Sequence, residues 1–142
     1  RFQYRALHIS NDTAAYLMDQ LQSIPESINM VGDTLMGMSQ DLEIDCAVVD
    51  AAITQTLLRF RSYFHEYLAG FSITELNLLQ AIARAQPLKM PQSKVFLATV
   101  DCSQGMVGNL IRKFENDAII YRLENGYVLG DPLLGIFLAR GM

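Results

Sequence analysis

The side chains of this chain best suited to molecular recognition fall between positions 103 and 122. Glutamine and asparagine can pair with adenine edges, arginine can pair with guanine, and basic residues can contact backbone phosphates. Five residues of these types and one serine occupy the outer side of one predicted helix and the strand after it: Ser103, Gln104, Asn109, Arg112, Lys113 and Arg122. We take them as candidate contacts with DNA or with a protein partner.

The charge around these residues favours a protein partner over DNA. Between positions 93 and 130 four basic residues are matched by four acidic ones: Lys94, Arg112, Lys113 and Arg122 against Asp101, Glu115, Asp117 and Glu124. A protein that contacts about six phosphates or more normally shows a clearly basic face. Residues 1–70 carry four basic against nine acidic side chains, and residues 71–142 carry seven against six. We therefore predict a regulatory or protein-contact role, with DNA binding as the alternative.

The sequence contains no residue pattern typical of a catalytic or metal site. Ser62 and His65 would be neighbours on a helix, but a serine nucleophile also needs a strained turn and an oxyanion hole. Asp41, Glu43 and Asp45 alternate like the first ligands of a calcium loop, but the glycine and the distal glutamate of that loop are missing. We therefore predict no catalytic, cofactor-binding or metal-ligating residue, and no enzymatic activity of this chain alone.

The elements that would position the candidate residues are clearest from Ile119 to Leu138. This stretch predicts two short strands joined by a Glu124-Asn125-Gly126 turn, because Asn-Gly between alternating apolar residues is the strongest short-range hairpin signal. A helix should follow at Asp131-Pro132, since aspartate can cap the first amides and proline has no amide hydrogen to leave unpaired. This closing helix is predicted at residues 132–140.

Three helices are predicted before the hairpin. Ser72-Ile73-Thr74-Glu75 has the form of a capping box, so a helix begins there and ends before Pro87. A shorter helix follows at about residues 93–100. Ser103 caps the third, whose inward face recurs at i, i+3, i+4 and i+7 with Val107, Leu110, Ile111 and Phe114. Three helices, a hairpin and a final helix are the outline of a winged helix-turn-helix with a C-terminal extension.

The first half of the chain is predicted to be helical. One helix is expected at residues 11–24, and a second should begin at Pro25. Asp45 should cap a long third helix that runs to about Leu68. Residues 2–9 alternate loosely between apolar and polar and indicate a short strand before these helices.

These elements predict a mainly α fold in two domains. Residues 1–70 should form a helical subdomain with a long connecting helix, and residues 71–142 a winged helix-turn-helix with a small β-hairpin wing and a C-terminal helix. No apolar run approaches the roughly 18 residues that span a bilayer, and no signal core follows the first residues. We expect a cytoplasmic protein with no membrane partner.

Three segments resemble the C-terminal third of the archaeal-type ATPases of the AAA+/STAND class. They are LQSIPESINMVGDTL, DCAVVDAAITQTLLRFRSYFHEYLAGFSITELNLLQAIA and SQGMVGNLIRKFENDAIIYRLENGYVLGDPLLGIFL. In that family a helical lid follows the nucleotide-binding core, a winged helix follows the lid, and an Asp-Pro-Leu segment of the DPLF type closes the domain. The resemblance implies that residues 1–70 are lid-like and that one partner of the winged helix is the protein's own N-terminal ATPase core.

The same resemblance implies that ATP and Mg²⁺ bind to that core. A Walker A motif needs a glycine-rich turn followed by lysine, and none of Lys89, Lys94 or Lys113 follows a glycine. The predicted helix that begins at Pro25 also contains no Arg or Lys that could reach a phosphate. We therefore expect a C-terminal piece of a longer ATPase, coupled to its nucleotide state and unable to hydrolyse ATP by itself.

Overall fold

The computed structural model describes residues 8–38 and 43–142. The chain divides into two compact units, Arg1–Ser62 and Tyr63–Met142. The described residues form eight helices, a short parallel strand pair and an antiparallel hairpin. The fold is therefore mainly α, as predicted, with its hairpin in the second unit.

The described part of the first unit contains three helices and two very short strands. Its elements are β1 (His8–Ile9), α1 (Asn11–Gln20), α2 (Pro25–Met38), β2 (Glu43–Ile44) and α3 (Cys46–Arg59). The first helix ends before the predicted residue 24, because Gln22 and Ser23 adopt left-handed backbone angles (φ 53° and 55°) that a right-handed helix cannot include. Most of the strand predicted at residues 2–9 lies outside the described residues, and so do residues 39–42.

The core of the first unit combines apolar residues from its three helices. They are Leu17, Leu21, Val31, Leu35, Val49, Ile53 and Leu57. One polar pair is buried with them, since the hydroxyl oxygens of Thr34 and Thr56 lie 2.7 Å apart. Thr56 also donates to the Ala52 carbonyl oxygen, and Arg59 Nη2 donates to the Thr34 hydroxyl. These partners offset the cost of burying the two hydroxyl groups.

The predicted long helix at residues 45–68 is wrong because Phe60 interrupts it. Phe60 has φ −99° and ψ 13°, so α3 ends at Arg59 and α4 (Arg61–Leu68) is a separate helix. The Phe60 N–H still reaches the Thr56 carbonyl oxygen at 3.1 Å. The connecting segment is therefore two helices joined by a one-residue turn rather than one continuous helix.

The second unit follows the predicted order of a winged helix-turn-helix. After α4 its elements are α5 (Ile73–Ala85), α6 (Lys94–Leu97), α7 (Gln104–Asn116), β3 (Ile120–Leu123), β4 (Gly126–Leu129) and α8 (Pro132–Arg140). The α6 helix is shorter than the predicted 93–100. The Thr99 hydroxyl donates to the Phe96 carbonyl at 2.7 Å, and such a side-chain bond competes with continuation of the helix.

The helix ends of the second unit confirm the predicted capping residues. The Ser72 hydroxyl oxygen accepts the Glu75 N–H and the Glu75 carboxylate accepts the Ser72 N–H, so the capping box is complete. Asp131 Oδ1 accepts the amides of Leu133 and Leu134 at 3.0 and 3.3 Å. Gly141 ends α8 in the left-handed region, with φ 70°.

Aromatic and aliphatic side chains fill the centre of the second unit. Its most buried large residues are Leu78, Leu79, Ile82, Phe114, Ile120, Leu129, Leu133 and Phe137. The rings of Phe64 and Phe137 lie 5.0 Å apart, which joins α4 to α8. Phe114 brings α7 into the same core, so the outer face of α7 has a fixed support.

The wing contains a third strand position that the sequence pattern did not predict. Leu88, in the loop after α5, exchanges two backbone hydrogen bonds with Tyr127 of β4, each 2.9 Å long. On its other side β4 pairs with β3, with Tyr121 opposite Val128 and Leu123 opposite Gly126. A single bridging residue leaves no period-2 pattern in the sequence, which is why it was missed.

Gly126 has a role beyond the turn. The two-residue loop is Glu124-Asn125, and Gly126 is already paired in β4. It has φ 133°, and a Cβ built there would lie 2.7 Å from both the carbonyl carbon and the carbonyl oxygen of Leu88. Gly126 therefore permits the close approach of the Leu88 backbone.

Replacing Gly126 by alanine should destabilise the protein. The new Cβ would collide with the Leu88 backbone at a φ that side-chain-bearing residues avoid. We expect a loss of about 1–3 kcal/mol in the free energy of unfolding, measured by urea denaturation. Gly105→Ala in α7 is the control, because nothing outside its own helix lies within 4 Å of the new atom and alanine favours helices. Equal losses in both variants would contradict the prediction.

Candidate functional site

The α7 helix presents most of the candidate residues to solvent. Val107, Ile111 and Phe114 turn inward and are buried. The outer side carries Gln104, Asn109, Arg112 and Lys113, all exposed. The structure thus places these four side chains on the exposed half of α7 and Arg122 on β3. Their neighbours decide how free each one is to bind a partner.

Ser103 caps α7. Its hydroxyl oxygen accepts the Met106 N–H at 3.2 Å, and its backbone is extended (φ −70°, ψ 160°). This bond satisfies one of the amides that the first turn of a helix leaves without a partner. The residue positions the helix, and its acceptor oxygen is already engaged.

Arg112 and Asn109 form a pair within α7. Arg112 Nη2 donates to Asn109 Oδ1 at 2.6 Å. The amide oxygen that could accept a hydrogen bond from a base edge is therefore occupied by the guanidinium three residues later. A ligand that used both side chains would have to break this exposed bond, which costs little in water.

Lys113 is bound to the start of α5. Its Nζ lies 2.7 Å from Glu75 Oε2, while Glu75 Oε1 accepts the Ser72 amide. The Lys113 side chain is 56% exposed and that of Glu75 only 12%. The hydrogen bond with Lys113 is the main reason that the pKa of Glu75 is lowered, and the same bond raises the pKa of Lys113. Of the two cationic candidates on α7, Lys113 is thus already paired with a carboxylate of the same unit.

Arg122 is placed over an aromatic ring of the wing. Its guanidinium carbon lies 5.8 Å from the centre of the Tyr127 ring, a cation–π contact. The Tyr127 hydroxyl donates to Glu115 Oε1 at 3.3 Å. Partial burial is the main cause that raises the pKa of Tyr127, and the nearby Glu115 carboxylate adds to it. Tyr127 is therefore contacted by a basic side chain at its ring and by an acidic one at its hydroxyl.

Exposed apolar side chains of α7 and the wing were not among the predicted contacts. Tyr121 and Leu123 of β3 are each 50% exposed, and Met106 of α7 is 46% exposed. The Tyr121 ring lies directly over Gly130. The sequence carried no signal for them, because the last three residues of β3 are all exposed and the strand shows no alternation between buried and exposed residues. Together with exposed Glu124 at the wing tip, they make this surface mixed rather than basic.

The described residues show neither a metal-binding cluster nor a membrane span. Within residues 8–38 and 43–142 no three His, Cys, Asp or Glu side chains converge as metal ligands. Among the helices of the same ranges, none has both the length and the apolar character needed to cross a bilayer.

Residues 62–140 match the family model of a probable winged helix domain. This match covers more than half of the chain and includes all six candidate residues. The chain belongs to the probable winged helix domain family. No curated protein and no solved structure matches the sequence significantly. In this winged helix domain α7 follows α5 and α6 as the last helix before the hairpin, and β3 and β4 form the wing.

Replacing Glu75 by glutamine should weaken the winged helix domain at neutral pH. Hydrogen bonds from Lys113 and Ser72 hold the pKa of Glu75 below its ordinary value of 4.5. A carboxyl group with a lower pKa in the folded state stabilises the fold above its unfolded pKa, and this contribution is lost as the pH falls through the folded pKa. Urea denaturation should show a variant less stable than wild type at about pH 7 and closer to it at about pH 3.

Glu124→Gln, at the exposed wing tip, is the control for this pH comparison. It should leave the difference in stability between the two pH values close to that of wild type. A Glu75→Gln variant with the wild-type pH dependence would show that the bond with Lys113 contributes nothing to folding.

Proposed function

We propose that this winged helix domain is a protein-contact module of an AAA+/STAND ATPase, regulated by the nucleotide state of that ATPase. The observation that carries the proposal is the ion pair between Lys113 and Glu75, 2.7 Å long. Binding to DNA phosphates depends on cations that are free to displace counterions. A lysine already paired with a carboxylate contributes less to such binding.

The remaining charges of α7 and the wing support the same conclusion. Arg112 keeps its charge, since the Asn109 oxygen is a neutral acceptor, but Arg122 lies over the Tyr127 ring. The nearby Glu115 carboxylate accepts a hydrogen bond from the Tyr127 hydroxyl and offsets part of the basic charge. Half-exposed Tyr121 and Leu123 add apolar surface that a protein partner can bury. The mixture of aromatic, aliphatic and balanced charged groups is typical of protein interfaces rather than of phosphate-binding faces.

The proposed partner is a nucleotide-binding core of the same protein or a separate protein. The sequence resemblance to AAA+/STAND ATPases supports the first of these, with ATP and Mg²⁺ bound in the core. The helices α3 and α4 connect the lid-like subdomain to the winged helix domain along the chain. We propose that a change of nucleotide acts on the lid-like helices and reaches the winged helix domain through the turn at Phe60.

A salt series with random-sequence duplex DNA tests the proposal against DNA binding. We expect no binding by fluorescence anisotropy below about 10 μM protein, even at about 50 mM salt, because the surface offers too few free cations. Micromolar binding that weakens steeply with salt would contradict this. Loss of such binding in an Arg112→Ala/Lys113→Ala variant would assign α7 as a DNA-binding helix. Lys89→Ala, outside α7 and the wing, is the matched charge control.

Nucleotide exchange in a chain that includes the ATPase core tests the regulatory part. Replacing ADP by a non-hydrolysable ATP analogue should change amide hydrogen exchange across residues 45–68 and 103–130, since a coupled element must differ between the two states. The buried centre of α5 at residues 78–83 is the internal reference and should change less. Unchanged exchange across both segments would remove the proposed coupling.

A further inference from the structure

A groove of about 730 Å³ lies on a different part of the winged helix domain from the candidate residues. It is formed by α5, the loop at residues 87–90 and α6. Ala81, Leu88 and Phe96 contribute to its lining, and the last two are buried. Its volume falls within the range of about 300–1,000 Å³ that is typical of binding sites.

Two large apolar side chains of the groove are exposed to water. Met90 is 66% exposed, and Val95 is 82% exposed. Val95 exceeds every other large apolar side chain of the described residues in exposure. Single exposed apolar residues are common, but these two lie beside an apolar groove, where a partner could bury them together with the lining.

The charged residues of the groove are mainly basic. Arg84 and Lys89 line it, against one carboxylate from Asp101. Arg84 is held in place because its Nε donates to the Ala139 carbonyl at 3.1 Å. This neutral acceptor fixes the guanidinium without cancelling its charge. A partner with carboxylates near its apolar residues therefore complements the groove.

The backbone around the groove favours a helix over an added strand. The N–H and C=O of Leu88 both bond to Tyr127, so in an extended segment the backbone groups of Pro87 and Lys89 point the other way. Proline has no N–H to donate, which weakens any strand added on that side. From Asn77 to Ala85 the α5 wall is about 12 Å long at 1.5 Å per residue, which matches about two helical turns.

We propose that this groove binds a short amphipathic helix with aliphatic residues on one face and carboxylates beside them. The inference names the chemistry of the partner segment and rests on the protein-contact function proposed above. Aliphatic side chains at i, i+3, i+4 and i+7 cover Met90, Val95 and Phe96. The flanking carboxylates meet Arg84 and Lys89.

A pair of model peptides tests the charge and shape requirement. One is a helical peptide of about 14 residues with leucines at i, i+3, i+4 and i+7 and glutamates beside them, and the other replaces each glutamate by lysine. Titrated into the whole chain and followed by fluorescence anisotropy, the glutamate peptide should bind with a Kd below about 1 mM. The lysine peptide should bind at least about tenfold more weakly.

Variants of two exposed apolar residues locate the binding site. Val95→Glu should weaken binding of the glutamate peptide by about tenfold or more, because it places a carboxylate against the carboxylates and leucines of the peptide. Its thermal midpoint should stay at the wild-type value, since the Val95 side chain is exposed and glutamate suits the first turn of a helix. Leu123→Glu, on the wing, should leave peptide binding unchanged.

Several results would overturn the groove proposal. They are equal binding of the two peptides, equal loss in the Leu123→Glu variant, or undiminished binding after a central proline breaks the peptide helix. Sedimentation that showed a dimer lost in Val95→Glu would assign the groove to a second copy of the chain. Failure of peptide binding together with absence of DNA binding would reject the groove and leave the protein-contact function. Selective peptide binding together with salt-sensitive DNA binding would keep the groove as a protein-binding site and reject the proposal that α7 and the wing do not bind DNA.

Discussion

The two backbone hydrogen bonds between Leu88 and Tyr127 set the geometry of the second unit around the wing. They attach the loop after α5 to β4, and this attachment is as close as it is because Gly126 has no side chain. On one side, the Tyr127 ring contacts the Arg122 guanidinium, and the Tyr127 hydroxyl donates a hydrogen bond to Glu115. On the other side, Leu88 becomes part of the groove wall. Both surfaces therefore depend on one strand pairing.

A second constraint acts at the start of α5. Glu75 accepts the Ser72 amide with one carboxylate oxygen and binds Lys113 with the other. A single acidic residue thus closes the first turn of α5 and attaches α7 to it. Because Lys113 is paired in this way, the contact between α5 and α7 also reduces the positive charge that α7 presents to a ligand. The same residue type that would attract phosphate in another winged helix here stabilises the contact between two helices.

The parts of the fold governed by local chemistry were predictable from the sequence. Ser72, Ser103 and Asp131 cap helices where their residue types and neighbours indicate, and Gly141 ends the last helix. In each case the deciding interaction joins residues a few positions apart, so a short window of sequence contains all the necessary information.

Features that depend on distant residues or on a single torsion were not predictable. The turn at Phe60 contains neither Gly nor Pro, and the apolar spacing continues through it. The bridge at Leu88 and the pairing of Lys113 with Glu75 join positions more than 30 residues apart. The sequence identified which side chains of α7 face outward, but it carried no signal for which of them would be engaged by such neighbours.

The position of β3 at the outer side of the wing has one more consequence. Tyr127 directs its N–H and C=O to Leu88, so its cross-strand neighbour Arg122 directs its own N–H and C=O away from β4. Within the described residues no strand covers that side of β3. The unpaired N–H and C=O of this edge, flanked by exposed Tyr121 and Leu123, could form hydrogen bonds with a strand of another chain and so promote aggregation. A charged residue within such a short edge opposes this pairing, which gives Arg122 a second physical effect besides its contact with Tyr127.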